Sequence, residues 1–230
     1  MYVPATPAQP VAPATSPLAP IMEIAAGGSS PGAAGLTGLE AAATTHASLI
    51  VRHPRLNVLA HHASTIAGTL RADLRSAGLS GRVVALQALG ARGWRTIAST
   101  HTGRGGRFRV RYVPSRVGSE RVRLRFAGDA SDLSARRSLG RLNVYRLAEA
   151  SWYGGGGGLA CGGELTSTTM GVANKTLPCG TPVTLRYGER TVRVRVIDRG
   201  PYVAGREYDL TEATRRALGF GDTGEVWSTR

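Results

Sequence analysis

The chain has 230 residues, of which 31 are glycine, 42% are hydrophobic and 6% are aromatic. This length and composition allow two small apolar cores and favour short strands and turns over long helices. No run of 18 apolar residues is present, which excludes a transmembrane helix, and the first twenty residues show neither the basic nor the apolar region of an export signal.

The formal net charge of +14 is concentrated in the first two thirds of the chain. Residues 1–148 contain 19 basic and six acidic residues, whereas residues 149–230 are nearly neutral. All basic residues except Lys175 are arginine, a bias that a GC-rich coding habit explains better than selection for bidentate contacts does. A basic surface attracts polyanions, so anionic wall polymers are candidate partners of the first part of the chain.

Residues 1–46 are rich in Pro, Ala and Gly and are predicted to form a disordered tether, since they cannot bury enough apolar area to fold. Residues 47–147 then show seven segments with period-two patterns, typical of strands. These segments are 48–52, 64–71, 82–88, 94–100, 107–113, 120–126 and 139–145. Their rhythm, a Gly-x-Phe motif and a Phe-x-Gly-Asp turn resemble bacterial Ig-like modules, which implies an antiparallel β-sandwich.

In two of these segments, 107–112 and 121–126, arginine alternates strictly with apolar residues. One face is predicted to enter a core while the other presents guanidinium groups to water. The aromatic residues Phe108, Tyr112 and Phe126 fall on the apolar face, which argues against nucleic-acid binding, because bases would need rings beside the arginines. The module is interpreted as a spacer or as a wall-adhering domain.

Residues 148–230 are predicted to form a small closed barrel with one short helix. The strand segments 182–187, 191–196 and 226–227 surround the sequence Asp-Leu-Thr-Glu at 209–212. An acid followed three residues later by Glu is typical of a capping box, so Asp209 is predicted to cap a helix that ends at Gly219.

The two cysteines, Cys161 and Cys179, are 18 residues apart, and all five histidines lie upstream of residue 149. This arrangement does not suit a zinc site. A disulfide is predicted, which would indicate an oxidising compartment outside the cytoplasm; two buried free thiols are the alternative.

Because residues 148–230 contain no histidine, acid–base chemistry there would have to use carboxylates. Asp198 ends an apolar strand, and the following Gly-Pro leaves room for a ligand. Pairing with Arg199 or Arg206, or hydrogen bonds from the amides of the turn, would explain it too. Glu164 lies in a Gly-Gly-Glu turn that could approach a sugar. Further candidate substrate-binding side chains, each of which could instead be structural, are Trp152, Tyr153, Arg199, Tyr202, Arg206 and Asp209. No metal or organic cofactor is predicted.

Several motifs of this region occur in an order that is typical of one protein family. They are Ala-Ser-Trp-Tyr-Gly (150–154), Lys-Thr-Leu-Pro (175–178), Asp-Arg-Gly-Pro-Tyr (198–202) and Asp-Leu-Thr (209–211). Together they resemble the rare lipoprotein A (RlpA-like) family, which implies a six-stranded double-psi β-barrel. The family includes lytic transglycosylases of peptidoglycan, and the resemblance implies that Asp198 and Glu164 are catalytic. Asn174 stands where the family often has His, and is a candidate for hydrogen bonding to glycan.

The resemblance therefore implies a secreted or cell-wall-associated protein that binds peptidoglycan glycan strands and cleaves them as a lytic transglycosylase. One alternative is a non-catalytic, expansin-like module that binds polysaccharide and loosens the wall. Another is an interaction protein in which the barrel is only a rigid scaffold.

Overall fold

The computed structural model describes residues 46–72 and 78–230, so the predicted tether lies outside the described residues except for His46. Within this part of the chain there are 15 strands and one α-helix. None of the described helical residues forms a helix long and apolar enough to cross a membrane.

Eight strands surround the first of two hydrophobic clusters. They are β1 (Ala47–Val51), β2 (Asn57–Leu59), β3 (Ser64–Ala72), β4 (Val83–Gly90), β5 (Gly93–His101), β6 (Arg107–Tyr112), β7 (Gly118–Phe126) and β8 (Ala135–Tyr153). One sheet has the order β1-β3-β6 and the other the order β5-β4-β7-β8, with β2 parallel to β8. Each of the seven predicted segments overlaps a strand, whereas β2 was not predicted.

The alternating pattern of β6 and β7 sorts their side chains onto two faces, as predicted. Phe108, Val110, Val122 and Leu124 are at most 3% exposed, while the arginines of β6 are exposed. Truncation of Leu124 to Ala is expected to cost about 2–5 kcal/mol, because the surrounding core cannot fully close over the cavity. The resemblance to Ig-like modules stays a prediction, since a core shared by two sheets does not define that topology.

Strand β8 belongs to both halves of the chain. Its first part pairs with β7, and from Arg146 onward it pairs with strands that surround the second hydrophobic cluster. The predicted boundary between residues 147 and 148 therefore falls inside a continuous strand, and the proposed division into domains stays a prediction. Two further contacts join the halves: Arg146 forms a salt bridge with Glu207, and the rings of Tyr145 and Trp227 lie 5.7 Å apart.

The last third of the chain is a closed barrel. Its remaining elements are β9 (Gly157–Gly158), β10 (Glu164–Leu165), β11 (Val172–Ala173), β12 (Pro182–Tyr187), β13 (Arg190–Asp198), β14 (Tyr208–Thr211), α1 (Glu212–Leu218) and β15 (Thr223–Ser228). Six strands follow one another in the order β8-β14-β11-β13-β12-β15, and β15 pairs with β8 again, so the sheet has no free edge. The predicted six-stranded barrel with one helix is confirmed.

The predicted start of helix α1 is wrong by two residues. Asp209 lies in β14, where it is opposite Ala173 of β11 and Ser151 of β8, so its backbone stays extended. Thr211 is the N-cap instead, and its hydroxyl oxygen accepts a hydrogen bond from the amide of Thr214 at 3.3 Å. The helix ends as predicted at Gly219, which adopts the left-handed conformation with φ of 65°.

Candidate active site

Two aspartates lie in one row across four strands of the barrel. In register order the row consists of Asp198 on β13, Ala173 on β11, Asp209 on β14 and Ser151 on β8. Residues opposite each other on paired strands point to the same face, and strands two apart are separated by about 10 Å. The small side chain of Ala173 therefore lies between the two aspartates in the row, and the register of β11 with β13 shifts at this point, between Val172 and Ala173.

Asp198 is half-buried at the end of β13, and one of its carboxylate oxygens is fixed by backbone amides. Its Oδ1 accepts hydrogen bonds from the N–H groups of Arg199 at 2.8 Å and Ala160 at 2.9 Å. Its Oδ2 forms no hydrogen bond with any of the described residues. The carboxylate is thus oriented through Oδ1, and its side chain also interacts with the Tyr153 hydroxyl.

Asp209 is half-buried and is bound by its neighbour on β8. The Ser151 hydroxyl donates a hydrogen bond of 2.8 Å to Asp209 Oδ1. Burial raises the pKa of the Asp209 carboxyl, and the negative charge of Asp198 adds to this rise, while Ser151 and the charge of Arg206 oppose it. The two aspartates consequently interact electrostatically.

Tyr153 follows Ser151 by two residues on β8 and therefore points to the same face. Its hydroxyl oxygen is buried and has no hydrogen-bond partner among the described residues. Burial is the main cause that raises the pKa of the hydroxyl, followed by the negative charge of Asp198, an interaction with the Asp198 side chain that falls short of ordinary hydrogen-bond geometry, and then the charge of Asp209. A buried hydroxyl without a partner, next to two carboxylates, is typical of a site that a ligand completes.

The predicted disulfide is confirmed and secures the loop that holds Asp198. Cys161 and Cys179 are bonded, with their Cα atoms 5.6 Å apart. The amide of Cys161 also donates to the carbonyl of Ile197 at 3.2 Å, beside the Ala160–Asp198 bond. The loop before Glu164 is therefore joined covalently to the segment before β12 and by hydrogen bonds to the end of β13.

The structure does not bring the Glu164 side chain into contact with Asp198. Glu164 is exposed on β10, opposite Gly158 of β9, and its carboxylate forms no hydrogen bond or ion pair with any residue in the described ranges. Glu164 lies four residues after Ala160, whose amide donates to Asp198. Its catalytic assignment stays a prediction.

Asn174 and Arg199 use their side chains within the protein. Asn174 is 7% exposed; its Oδ1 accepts from the amides of Thr176 and Leu177, and its Nδ2 donates to the carbonyl of Glu207 at 3.0 Å. The Arg199 guanidinium donates to the carbonyls of Asn174 and Leu177. Both residues thus stabilise the segment beside Asp198, and their assignment to substrate binding stays a prediction.

The remaining aromatic and basic candidates occupy different places. Trp152 points to the face of β8 opposite Tyr153, where its Nε1 donates to Asp222 at 3.0 Å and Arg215 covers its ring. Tyr202 is 82% exposed, and half-buried Arg206 lines a hollow next to Asn174. Of these three, Arg206 is the one whose charge acts on Asp209.

Sequence reasoning missed Ser151, although strand alternation alone would place it on the face of Tyr153. Its importance depends on the parallel pairing of β8 with β14, which joins residues 58 positions apart. No group of three or more His, Cys, Asp and Glu side chains that could hold a metal occurs in residues 46–72 and 78–230. The absence of a cofactor stays a prediction.

This part of the chain therefore defines a class of protein. It is a closed six-stranded barrel that carries a pair of aspartates on its wall. Residues 147–227 match the family model described as "Lytic transglycolase". The barrel belongs to the RlpA-like double-psi β-barrel family, as predicted.

Three relatives match over the same region. The "Probable endolytic peptidoglycan transglycosylase RlpA" of Synechocystis sp. is 42% identical over 81 residues, covering 33% of this chain and 25% of that protein. The protein of the same name from Aquifex aeolicus is 41% identical, with 33% and 36% covered, and the "Endolytic peptidoglycan transglycosylase RlpA" of Pseudomonas aeruginosa is 40% identical, with 35% and 26% covered. The chain spans about a quarter to a third of the length of these relatives.

Among solved structures, the Streptomyces papain inhibitor (SPI) is similar over 37% of this chain and 94% of its own, with 22% identity and a TM-score of 0.31.

Proposed function

We propose that the barrel binds peptidoglycan glycan strands and cleaves them as a lytic transglycosylase, with Asp198 as the acid and base. The observation that carries the proposal is the Asp198 carboxylate, which two backbone amides hold through Oδ1 beside the buried hydroxyl of Tyr153. The names of three relatives, each about 40% identical over about a third of the chain, support the same reaction class.

The proposed reaction requires one carboxyl group that acts twice. Protonated Asp198 donates its proton to the bridging oxygen as the bond between that oxygen and C1 of the muramic residue breaks. The resulting carboxylate then takes the proton of the C6 hydroxyl of the same sugar as O6 bonds to C1. The product is an anhydro ring, Asp198 regains its proton, and no water is consumed.

The neighbouring groups support this role in different ways. The Tyr153 hydroxyl lies near Asp198 and has no described partner, so it is free to donate a hydrogen bond to the sugar or to Asp198. Asp209, held by Ser151, adds a second carboxyl on the same face. Glu164, exposed on the anchored loop, is the candidate for a second catalytic carboxyl.

The test uses the full chain and purified glycan strands stripped of stem peptides. Wild type is expected to release fragments with anhydro-muramic ends, and Asp198→Asn is expected to release none above background while still sedimenting with insoluble peptidoglycan. Glu189→Gln is the matched control, since Glu189 is 96% exposed and pairs with Arg186 away from the site. Equal activity of wild type and Asp198→Asn would overturn the proposal.

One observation favours a second candidate, an expansin-like module that binds glycan without cleaving it. Asn174 occupies a position where the family often has His, and its amide is consumed by three hydrogen bonds inside the protein. Sedimentation of wild type with peptidoglycan, without any anhydro product, would support this candidate. The Cys161–Cys179 disulfide supports an extracellular or wall-associated location for either function.

A further inference from the structure

The outer face of the sheet β1-β3-β6 carries a groove lined by basic side chains. Two hollows of about 490 and 540 Å³ adjoin there and share Arg52, Ala67 and Arg109. Arg55 lines the first hollow and Arg107 the second, and no acidic side chain in the described ranges lines either one. This surface, defined by Arg52, Arg55, Arg107 and Arg109, is called the arginine groove.

The positive charge of the arginine groove is not neutralised by any described carboxylate. The acidic residues described between 46 and 147 are Glu120, Asp129 and Asp132, and salt bridges assign them to Arg95 and Arg82. The four guanidinium groups of the groove form no ion pair or side-chain hydrogen bond with described residues. Like charges held together without counter-charges raise the free energy of the surface, and a bound anion would relieve this repulsion.

The spacing of the arginines suits a linear partner. Arg107 and Arg109 are exposed at alternate positions of β6, so their Cα atoms are about 6.8 Å apart along the strand. Arg52 follows β1, on the far side of β3 from β6. Guanidinium groups bind phosphate in a bidentate manner, so a row of them complements a chain with one phosphate in each repeat.

The aromatic residues of the groove argue against a nucleic acid. Phe108 is 3% exposed, and Trp227 already contacts the ring of Tyr145 and the guanidinium of Arg186. Proteins that bind single strands stack bases mainly on Phe, Tyr and Trp rings, whereas the exposed rings among the described lining residues of this groove are the imidazoles of His53, His62 and His101. We infer that the arginine groove binds a linear phosphodiester polymer that has no bases. This inference does not depend on the proposed glycan cleavage.

The test measures binding of the full chain to a fluorescently labelled glycerol-phosphate oligomer by anisotropy, over a series of salt concentrations. The triple variant Arg52→Gln, Arg107→Gln, Arg109→Gln is expected to raise Kd at least about tenfold and to lower the slope of log K against log salt by about 2, since each phosphate contact contributes about 0.7. Arg109→Gln alone is expected to weaken binding several-fold, and circular dichroism checks that both variants are folded.

The matched control removes the same charge from the other sheet, through Arg121→Gln, Arg136→Gln and Arg137→Gln, which are exposed on β7 and β8. Its Kd is expected to change less than about threefold. No binding by wild type, or equal weakening by the two triple variants, would overturn the inference. A labelled oligothymidylate that binds as tightly, and depends on the same three arginines, would replace the base-free polymer with a nucleic acid.

Discussion

Ser151 and Asp209 lie opposite each other on the parallel strands β8 and β14, and the serine hydroxyl donates a 2.8 Å hydrogen bond to the carboxylate. This pair links the strand that leaves the first half of the chain to the strand that precedes the helix. It also places a half-buried carboxyl on the face that carries Asp198. The ionisation of Asp209 is therefore coupled to the stability of the barrel.

The first prediction concerns the pH dependence of folding. Because burial raises the pKa of Asp209 above its unfolded value, its contribution to stability is fully present below about pH 3.8 and is lost as the pH rises through the folded value. Asparagine does not ionise, so Asp209→Asn should keep this contribution. Its free energy of unfolding should therefore increase relative to that of wild type as the pH rises above 3.8. Denaturant titrations across this range measure the difference.

The control for this experiment is Glu225→Gln, which removes an exposed carboxyl of β15. Its stability should follow that of wild type at every pH. A constant difference between Asp209→Asn and wild type across the range would contradict the assignment of a raised pKa to Asp209.

The second prediction concerns the disulfide. Replacing both Cys161 and Cys179 with Ser should lower the free energy of unfolding by about 3 kcal/mol, because the unfolded chain regains the entropy of an 18-residue loop. Glycan cleavage should fall as well, since the loop that donates the Ala160 amide to Asp198 is loosened. A reducing agent should destabilise wild type and leave the double variant unchanged; if both respond alike, the disulfide is not the cause.

The third prediction separates stability from activity at Tyr153. Tyr153→Phe removes a buried hydroxyl without a described partner, so the free energy of unfolding should change by less than about 1 kcal/mol. The rate of glycan cleavage should fall about 10- to 100-fold, because the reaction would lose one hydrogen bond to a charged group. A large loss of stability with unchanged activity would mean that the hydroxyl serves the fold.

The fourth prediction concerns Asn174. Asn174→Ala leaves the amides of Thr176 and Leu177 without their acceptor, and should cost about 1–3 kcal/mol of stability. Asn174→Asp keeps the acceptor oxygen and should recover part of this loss. Thermal and denaturant unfolding measure both variants. Normal stability of Asn174→Ala together with lost glycan sedimentation would show that the side chain binds substrate instead.

Local patterns in the sequence predicted much of the fold because they report directly on which face of a strand is buried. The alternation of arginine with Val122 and Leu124 located both β7 and its core face. The cysteine spacing predicted the disulfide because two cysteines in one small barrel, without further metal ligands nearby, have few other roles than to pair with each other.

The arrangement of the site was harder to predict because it depends on register between distant strands. The local sequence around Asp209 fits a capping box, but pairing with Ala173 and Ser151 keeps the residue extended and moves the cap to Thr211. Likewise, Trp152 and Tyr153 are adjacent aromatic residues, yet strand geometry sends them to opposite faces, and only Tyr153 meets the aspartates.

The most direct measurement of the central claim is the mass of the muramic ends that wild type and Asp198→Asn release from glycan strands in water enriched with heavy oxygen. The proposed reaction joins O6 to C1 within one sugar, so wild-type products should be anhydro ends without the heavy isotope, and Asp198→Asn should release none. Reducing ends that contain the heavy isotope, or anhydro ends released equally by Asp198→Asn, would contradict the account.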